Sequence, residues 1–281
     1  MVKLRRHLNT AGLLLLGFII LIWTLFPLYH MLVMAITPKA DLFSGKLWPE
    51  SPTLENFVTI FQQDHFFLRS FWTQSYNSVF VAFVTTLLVL FAATTASYAI
   101  GRLKPRWGNW VSNAALATYI IPASFLAIPF FKIMANYLLL DTHLALILAM
   151  TAFASPYAIW VLRQYASTIP VELDDAAKVD GASVLQIFFL IYLPLMTPAL
   201  VAVGTYALLL AWNEYLYAFL LLSSETKVTL PIAMGFFLST DDAPWNLLMA
   251  LGLIYAIPPT LLYYFVRRFM VTGLTAGGVK G

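Results

Sequence analysis

The chain has 281 residues, 61% of them hydrophobic and 10% charged, and its mean hydropathy is +0.81. A soluble core of this size cannot hide so much apolar surface, so the composition excludes an ordinary soluble domain and indicates an integral membrane protein. The absence of cysteine excludes a disulfide framework, a thiolate metal site and a cysteine nucleophile, and the net charge of +3 comes from basic residues between apolar runs, which bears on topology rather than on nucleic-acid binding.

Six predominantly apolar runs predict spans at about 11–36, 78–100, 110–131, 143–162, 195–222 and 246–265. Each is long enough to cross about 30 Å of hydrocarbon at about 1.5 Å per residue. The first follows Lys3, Arg5 and Arg6 like the start of a signal peptide, but it is too long for one and no small-x-small cleavage site follows, so it is expected to stay as an anchor. The expected fold is an all-α membrane protein with six transmembrane helices, a single membrane domain over 1–281 and both termini on one side. With the termini inside, eleven of the 16 basic residues fall in cytoplasmic segments, among them Arg102, Lys104, Arg106, Arg163, Arg267 and Arg268. This excess predicts cytoplasmic termini.

The loop 37–70 carries Pro38, Pro49 and Pro52, then Thr53-Leu-Glu-Asn56, where Thr53 is placed to cap a short helix running to Phe61. Pro122, Pro129, Pro156, Pro198, Pro258 and Pro259 lie in or beside spans, where prolines mean kinks or irregular packing satisfied by neighbours. Between the fourth and fifth spans, 171–194 is a charged island holding Glu172, Asp174, Asp175, Lys178 and Asp180. Pro170 suits the start of a helix, the three acidic residues favour its positive end, and Gly181 permits a turn into an apolar second stretch closed by Pro194. A helix-turn-helix at the membrane surface suits transmission of force to a soluble partner.

In the fifth span, Trp212, Asn213 and Glu214 stand together in apolar surroundings. A carboxylate at that depth requires a polar partner or a wet path, so the trio is expected either to line a translocation path, with the indole stacking on a sugar face, or to hold neighbouring helices together. The loop 223–245 is long enough to be functional and contains Gly235, Phe236, Phe237 and the pair Asp241-Asp242. His7, His30, His65 and His143 share no metal-ligand spacing, so no metal site is expected. There is no Walker motif, nucleophile elbow or H-E-x-x-H pair, so the chain is not expected to be an enzyme or to bind a cofactor itself.

Asp175-Ala176-Ala177, then Gly181, then Ile191-Tyr192-Leu193-Pro194 resembles the EAA signature of permease subunits of bacterial binding-protein-dependent ABC importers, with aspartate in place of the usual glutamate. Ser51-Pro-Thr-Leu-Glu-Asn-Phe57, Ala211-Trp-Asn-Glu-Tyr215 and the C-terminal 272–281 segment resemble the second permease of the maltose transporter and its carbohydrate-uptake relatives. The resemblance implies a cytoplasmic coupling helix between spans four and five that docks on an ATPase subunit through Glu172, Asp175, Ala176, Ala177, Asp180, Gly181 and Pro194. It further implies a C-terminal tail reaching that ATPase through Gly277, Gly278 and Lys280, and an outer loop meeting a binding protein at Gly235, Phe236 and Phe237. The implied partners are a second permease subunit, two ATP-binding subunits that carry ATP and Mg, an extracytoplasmic solute-binding protein and a carbohydrate, in the bacterial inner membrane and without nucleic acid. Two alternatives are an ABC permease for another solute and an ion-coupled secondary transporter using Glu214, which would need repeats or paired broken helices.

Overall fold

The computed structural model describes residues 2–239 and 242–277, with side chains for residue 10 and residues 12–239 and 242–268. The described residues are helical or irregular, with no strand. Four helices are long and apolar enough to cross a membrane unbroken: Gly12–Ala35, Phe66–Leu103, His143–Ala166 and Trp245–Arg268. Two further pairs, Gly108–Ile120 with Ala123–Asn136 and Val184–Leu195 with Thr197–Trp212, are bent by 94° and 75°, which brings the number of spans to six if each pair is one.

The chain divides into two compact units. The first comprises 1–71 and 234–257 and is built from α1 (Val2–Ala35), α2 (Glu55–Gln62) and the start of α13 (Trp245–Gly277). Leu13 to Leu28 of α1 is largely exposed, the pattern of a helix facing lipid, while Val33, Ala35 and Ile36 at its end are buried with Ile60, Leu68, Leu248 and Leu251. A buried Asn56 joins these elements: its Nδ2 donates to the Ala35 carbonyl at 2.7 Å, and its Oδ1 accepts from Asn246 Nδ2 at 2.9 Å. Thr53 Oγ1 accepts from the Glu55 backbone N–H at 3.1 Å, a local turn just before α2; the cap position is Leu54, one residue later than the sequence suggested, and it makes no side-chain capping bond. At Gly252 a Cβ would come within 2.9 Å of Met31 Cε, so the absence of a side chain there lets α13 approach α1.

The second unit comprises 72–233 and 258–281. Its helices are α3 (Phe71–Tyr98), α4 (Gly108–Ala117), α5 (Ala127–Asn136), α6 (His143–Ala166), α7 (Glu172–Val179), α8 (Val184–Ile187), α9 (Leu193–Leu195), α10 (Thr197–Trp212), α11 (Leu216–Leu221) and the first part of α12 (Leu230–Phe236). Ala154, Ala158, Leu162 and Ala166 on α6 and Ala199, Val203, Ala207 and Ala211 on α10 are spaced by four residues and buried. Small side chains at this spacing let backbones close together where lipid supplies no hydrophobic drive. Gly204 continues the pattern, since a Cβ there would meet Leu90 Cδ1 of α3 at 3.3 Å.

The third and fifth expected spans are not single helices. Ile121 is extended (φ −86°, ψ 117°) because the ring of Pro122 crowds the helical conformation of the residue before it, so the run predicted at 110–131 breaks there. The run predicted at 195–222 breaks at Asn213 and Glu214, between α10 and α11. Two π-turns, Ala99–Leu103 after α3 and Phe188–Tyr192 after α8, flank the charged island in space: Tyr98 packs edge-on against both Phe188 and Tyr192, with centroids at 5.1 and 4.9 Å. Pro194 sits inside α9 rather than closing the stretch, and the bend comes just after it.

Candidate functional site

The charged island forms α7, a turn and α8. Its first turn carries Glu172, Asp174 and Asp175, as the helix dipole favours. Gly181 takes φ +83°, the left-handed conformation that ends the helix, while the N–H groups of Gly181 and Ala182 bond back to Lys178 and Ala177. Ser183 and Gln186 then cap each other's backbone at the start of α8, a capping box that the sequence spells out and that the reading above did not use. Glu172, Asp175, Ala176, Asp180 and Gly181 are exposed and Ala177 is half-buried, so the predicted docking residues share one accessible element. Val179 is 88% exposed beside them. Lys178 Nζ donates to Asp175 Oδ1 at 2.8 Å, which holds that carboxyl below the usual carboxylate range.

What fixes this element to the bundle is Asp174, the acidic residue of the island left out of the predicted docking set. It is buried and pairs with Arg102, from the π-turn after α3, at 3.2 Å between Arg102 Nε and Asp174 Oδ2. The same guanidinium donates to the Ile169 carbonyl at 3.1 Å and lies 5.9 Å over the Tyr192 ring. Tyr192, fully buried, shares a 3.1 Å hydrogen bond with Ser97. Removing both charges from water is costly, and the pair is tolerable because its members face each other. In the sequence Arg102 was one of three basic residues at a span end, beside Lys104 and Arg106, with nothing to say which carboxylate it meets.

Between α4, α5, α6 and α11 lies a half-open cavity of about 420 Å³ lined by Tyr119, Phe130, Phe153, Pro156, Glu214 and Tyr217 among others. Glu214 reaches it from the break between α10 and α11, where its Oε1 accepts from the Tyr217 N–H at 2.7 Å and so serves the first turn of α11. Tyr217 Oη donates to the Ala123 carbonyl at 2.6 Å, and Tyr119 Oη donates to the Phe153 carbonyl at 2.6 Å. Aromatic faces with a few fixed polar atoms suit a ligand that is polar at its edges and apolar on its faces. Trp212, expected to offer its indole to a sugar, is instead only 3% exposed, because α10 turns it into the interior. Asn213 is exposed and its amide bonds back to the Leu209 carbonyl. The aromatic lining came from Tyr119, Phe130 and Phe153, which no motif marked.

The root of the loop 223–245 is clamped. Asp141 Oδ1 accepts from the N–H groups of Ser223 and Ser224 at 3.0 Å each, and its other oxygen accepts from the Ser224 hydroxyl and from Lys227. These bonds, led by the Ser224 hydroxyl, hold the Asp141 carboxyl well below the usual carboxylate range. Asn77 Nδ2 donates to the carbonyls of Thr226 and Val228, and Ser78 Oγ accepts from the Leu230 N–H. Further along, Gly235 and Phe236 lie in α12, and Phe236 is partly exposed. Phe237 is buried, stacked on His65 at 6.0 Å and beside Phe67 at 5.0 Å, so it is a packing residue rather than a surface contact. Asp241 lies outside the described residues, whereas Asp242 pairs with Lys39 at 2.7 Å. Of the expected tail residues, Gly277 ends α13 in helical backbone, and Gly278 and Lys280 lie outside the described residues.

Residues 92–275 match the family described as binding-protein-dependent transport system inner membrane component. The chain belongs to this family. An inner membrane ABC transporter permease of Escherichia coli, YcjP, is 37% identical over 93% of both chains. The arabinooligosaccharide transport permease AraQ of Halalkalibacterium halodurans is 33% identical over 98% of this chain and 96% of that one. In fold, a bacterial ABC transporter involved in the import of the acidic polysaccharide alginate superposes with a TM-score of 0.79 over 94% of this chain and 96% of that chain, at 24% identity. The chain is thus an all-helical, multi-pass inner-membrane ABC permease, and the matched segment contains the charged island, Arg102 and the aromatic cavity.

Proposed function

We propose that this permease is the transmembrane subunit of an ATP-driven importer for a carbohydrate. It works beside a second permease, two ATP-binding subunits that carry ATP and Mg, and an extracytoplasmic binding protein. The chain itself hydrolyses nothing. The carrying observation is an exposed acidic helix, α7, anchored to the bundle by a buried ion pair at its first turn. A docking element must be open to its partner yet rigid toward the bundle, and this arrangement meets both needs.

In this reading Glu172, Asp175, Ala176, Ala177, Asp180 and Gly181 face the ATPase subunit, and Pro194 sets the turn back into the membrane. Both termini lie in the cytoplasm, and the C-terminal residues Gly277, Gly278 and Lys280 approach the same subunit. Closure of the ATPase pair moves α7, and through Arg102 and Tyr192 the movement reaches α3 and the helices around the cavity. The aromatic faces of the cavity and Glu214 supply the chemistry a sugar requires. The sugar class is supported by the arabinooligosaccharide relative. Gly235 and Phe236 remain the outer-loop positions open to the binding protein.

The test is purification of the tagged chain from its native membrane, with identification of what accompanies it and an ATPase assay with and without candidate sugars. Recovery of a second permease and a Walker-motif ATPase is the expected result. A chain that comes alone and takes up solute on an ion gradient would overturn the reading.

A further inference from the structure

Beside the root of α7 lies a cleft of about 680 Å³, of whose charged lining the coupling role uses only Arg102 and Glu172. Its lining includes Lys104 and Arg106 from the turn after α3, Arg163 from α6, and a single unpaired carboxylate, Glu172. Arg102 also borders it, but that charge is spent on Asp174, and Asp175 is spent on Lys178. Among the described residues Lys104, Arg106 and Arg163 form no ion pair; Arg163 donates to Asn109 Oδ1 at 2.6 Å, which holds its guanidinium at the rim. The turn is fixed: Lys104 has φ +47°, and a Cβ at Gly108 would meet Pro105 Cγ at 3.2 Å and Ile100 Cγ2 at 3.3 Å. Three cations therefore line one cleft in which Glu172 is the one carboxylate.

A second, independent feature sets the height of this cleft. Trp107 and Trp110, next to the turn, are 61% and 73% exposed, and Leu103 beside them is exposed too. Exposed tryptophan flanked by leucine and basic residues is the pattern of the headgroup level of a bilayer. We propose that the cleft binds the phosphate of an anionic phospholipid from the leaflet that surrounds it, with Lys104, Arg106 and Arg163 as its ligands and the two tryptophans against the glycerol and upper acyl region. The proposal rests on the cytoplasmic placement of α7, because anionic lipid and unpaired basic residues are then on the same side. Bound there, the lipid borders Glu172 and Val171 and so makes the footing of the coupling element sensitive to membrane composition.

The experiment uses the full chain in its native assembly, carried in nanodiscs of phosphatidylcholine with graded phosphatidylglycerol, with retained lipid counted by native mass spectrometry after transfer to mild detergent. The wild type is expected to keep phosphatidylglycerol in preference to phosphatidylcholine. Each of Lys104→Gln, Arg106→Gln and Arg163→Gln is expected to lower that preference about fivefold, and the triple variant to abolish it while still co-purifying with its ATPase. Equal retention of the two lipids by the wild type would overturn the proposal, as would displacement of the lipid by millimolar inorganic phosphate, which would assign the cleft to a soluble anion. Loss of the ATPase from the triple variant with lipid retention unchanged would assign it to the partner protein instead. An ATPase absent from wild type and variant alike would count against the importer reading alone, since the lipid preference is read on the chain itself.

Discussion

Arg102 and Asp174 are the pair on which α7 stands, and each is nearly inaccessible to water. Arg102→Ala leaves a buried carboxylate without its counter-ion, and the expected cost is about 3–5 kcal/mol, read as a fall in the thermal midpoint of the purified assembly. Replacing both, as Arg102→Met with Asp174→Leu, is expected to restore most of that stability while lowering sugar-stimulated ATPase activity. Recovery of stability and activity together would show that the pair is only packing. Asp141 supplies a second prediction at this scale. Its carboxyl is depressed in the folded chain, first by the Ser224 hydroxyl, so its stabilisation is complete above the unfolded carboxylate range. It is lost as pH falls from about 4 toward the folded value. Hydrogen exchange at Ser223 and Ser224 is expected to stay slow at neutral pH and to quicken in acid, and Asp141→Ala is expected to exchange quickly throughout. Exchange in the wild type that did not depend on pH, once corrected for intrinsic rates, would remove Asp141 as the clamp.

At the scale of elements, α7 and α8 are two short helices that owe their mutual angle to one glycine. No atom lies within 4 Å of where a Gly181 Cβ would sit, so its requirement is for left-handed backbone and not for room. Gly181→Ala is expected to cost about 1 kcal/mol, and Gly181→Asn less. Gly181→Pro, which cannot adopt this φ, is expected to uncouple ATP hydrolysis from uptake while the chain still inserts. Normal transport by that variant would place the coupling elsewhere. The broken spans carry a similar lesson. Pro122 stood in the sequence as one proline among several with no reason to be singled out, and it stands where its span turns through 94°. Pro156 sits inside a helix that continues past it. What separates the two is the surrounding packing, which a single sequence does not display. The island was legible because charge, glycine and proline each leave a local mark. The cavity was not, since Tyr119, Phe130 and Tyr217 are separated in sequence and gather only once α4 and α5 fold back.

Over the whole molecule, the four unbroken spans follow from hydropathy, because a bilayer demands about the same length of every crossing helix, whereas the two bent pairs do not. Side-chain burial did not follow: Trp212 and Phe237 looked like surface aromatics and are core residues. The alanine stripes of α6 and α10 imply that this core has no spare room. Ala158→Leu is expected to cost about 1–3 kcal/mol by overpacking, measured as a lowered thermal midpoint, whereas the same change at the exposed Ala114 of α4 is expected to cost little. The two π-turns bear on how such a tight bundle moves at all. Each holds one residue more than a regular turn of helix, so if the excess slips along the backbone, the segment beyond it advances by about 1.5 Å and rotates by about 100° with its hydrogen bonds remade rather than lost. Lying against one another through Tyr98, Phe188 and Tyr192, they leave the helices on either side of the island room to change phase without breaking, and under the proposed function a push at α7 draws on that room.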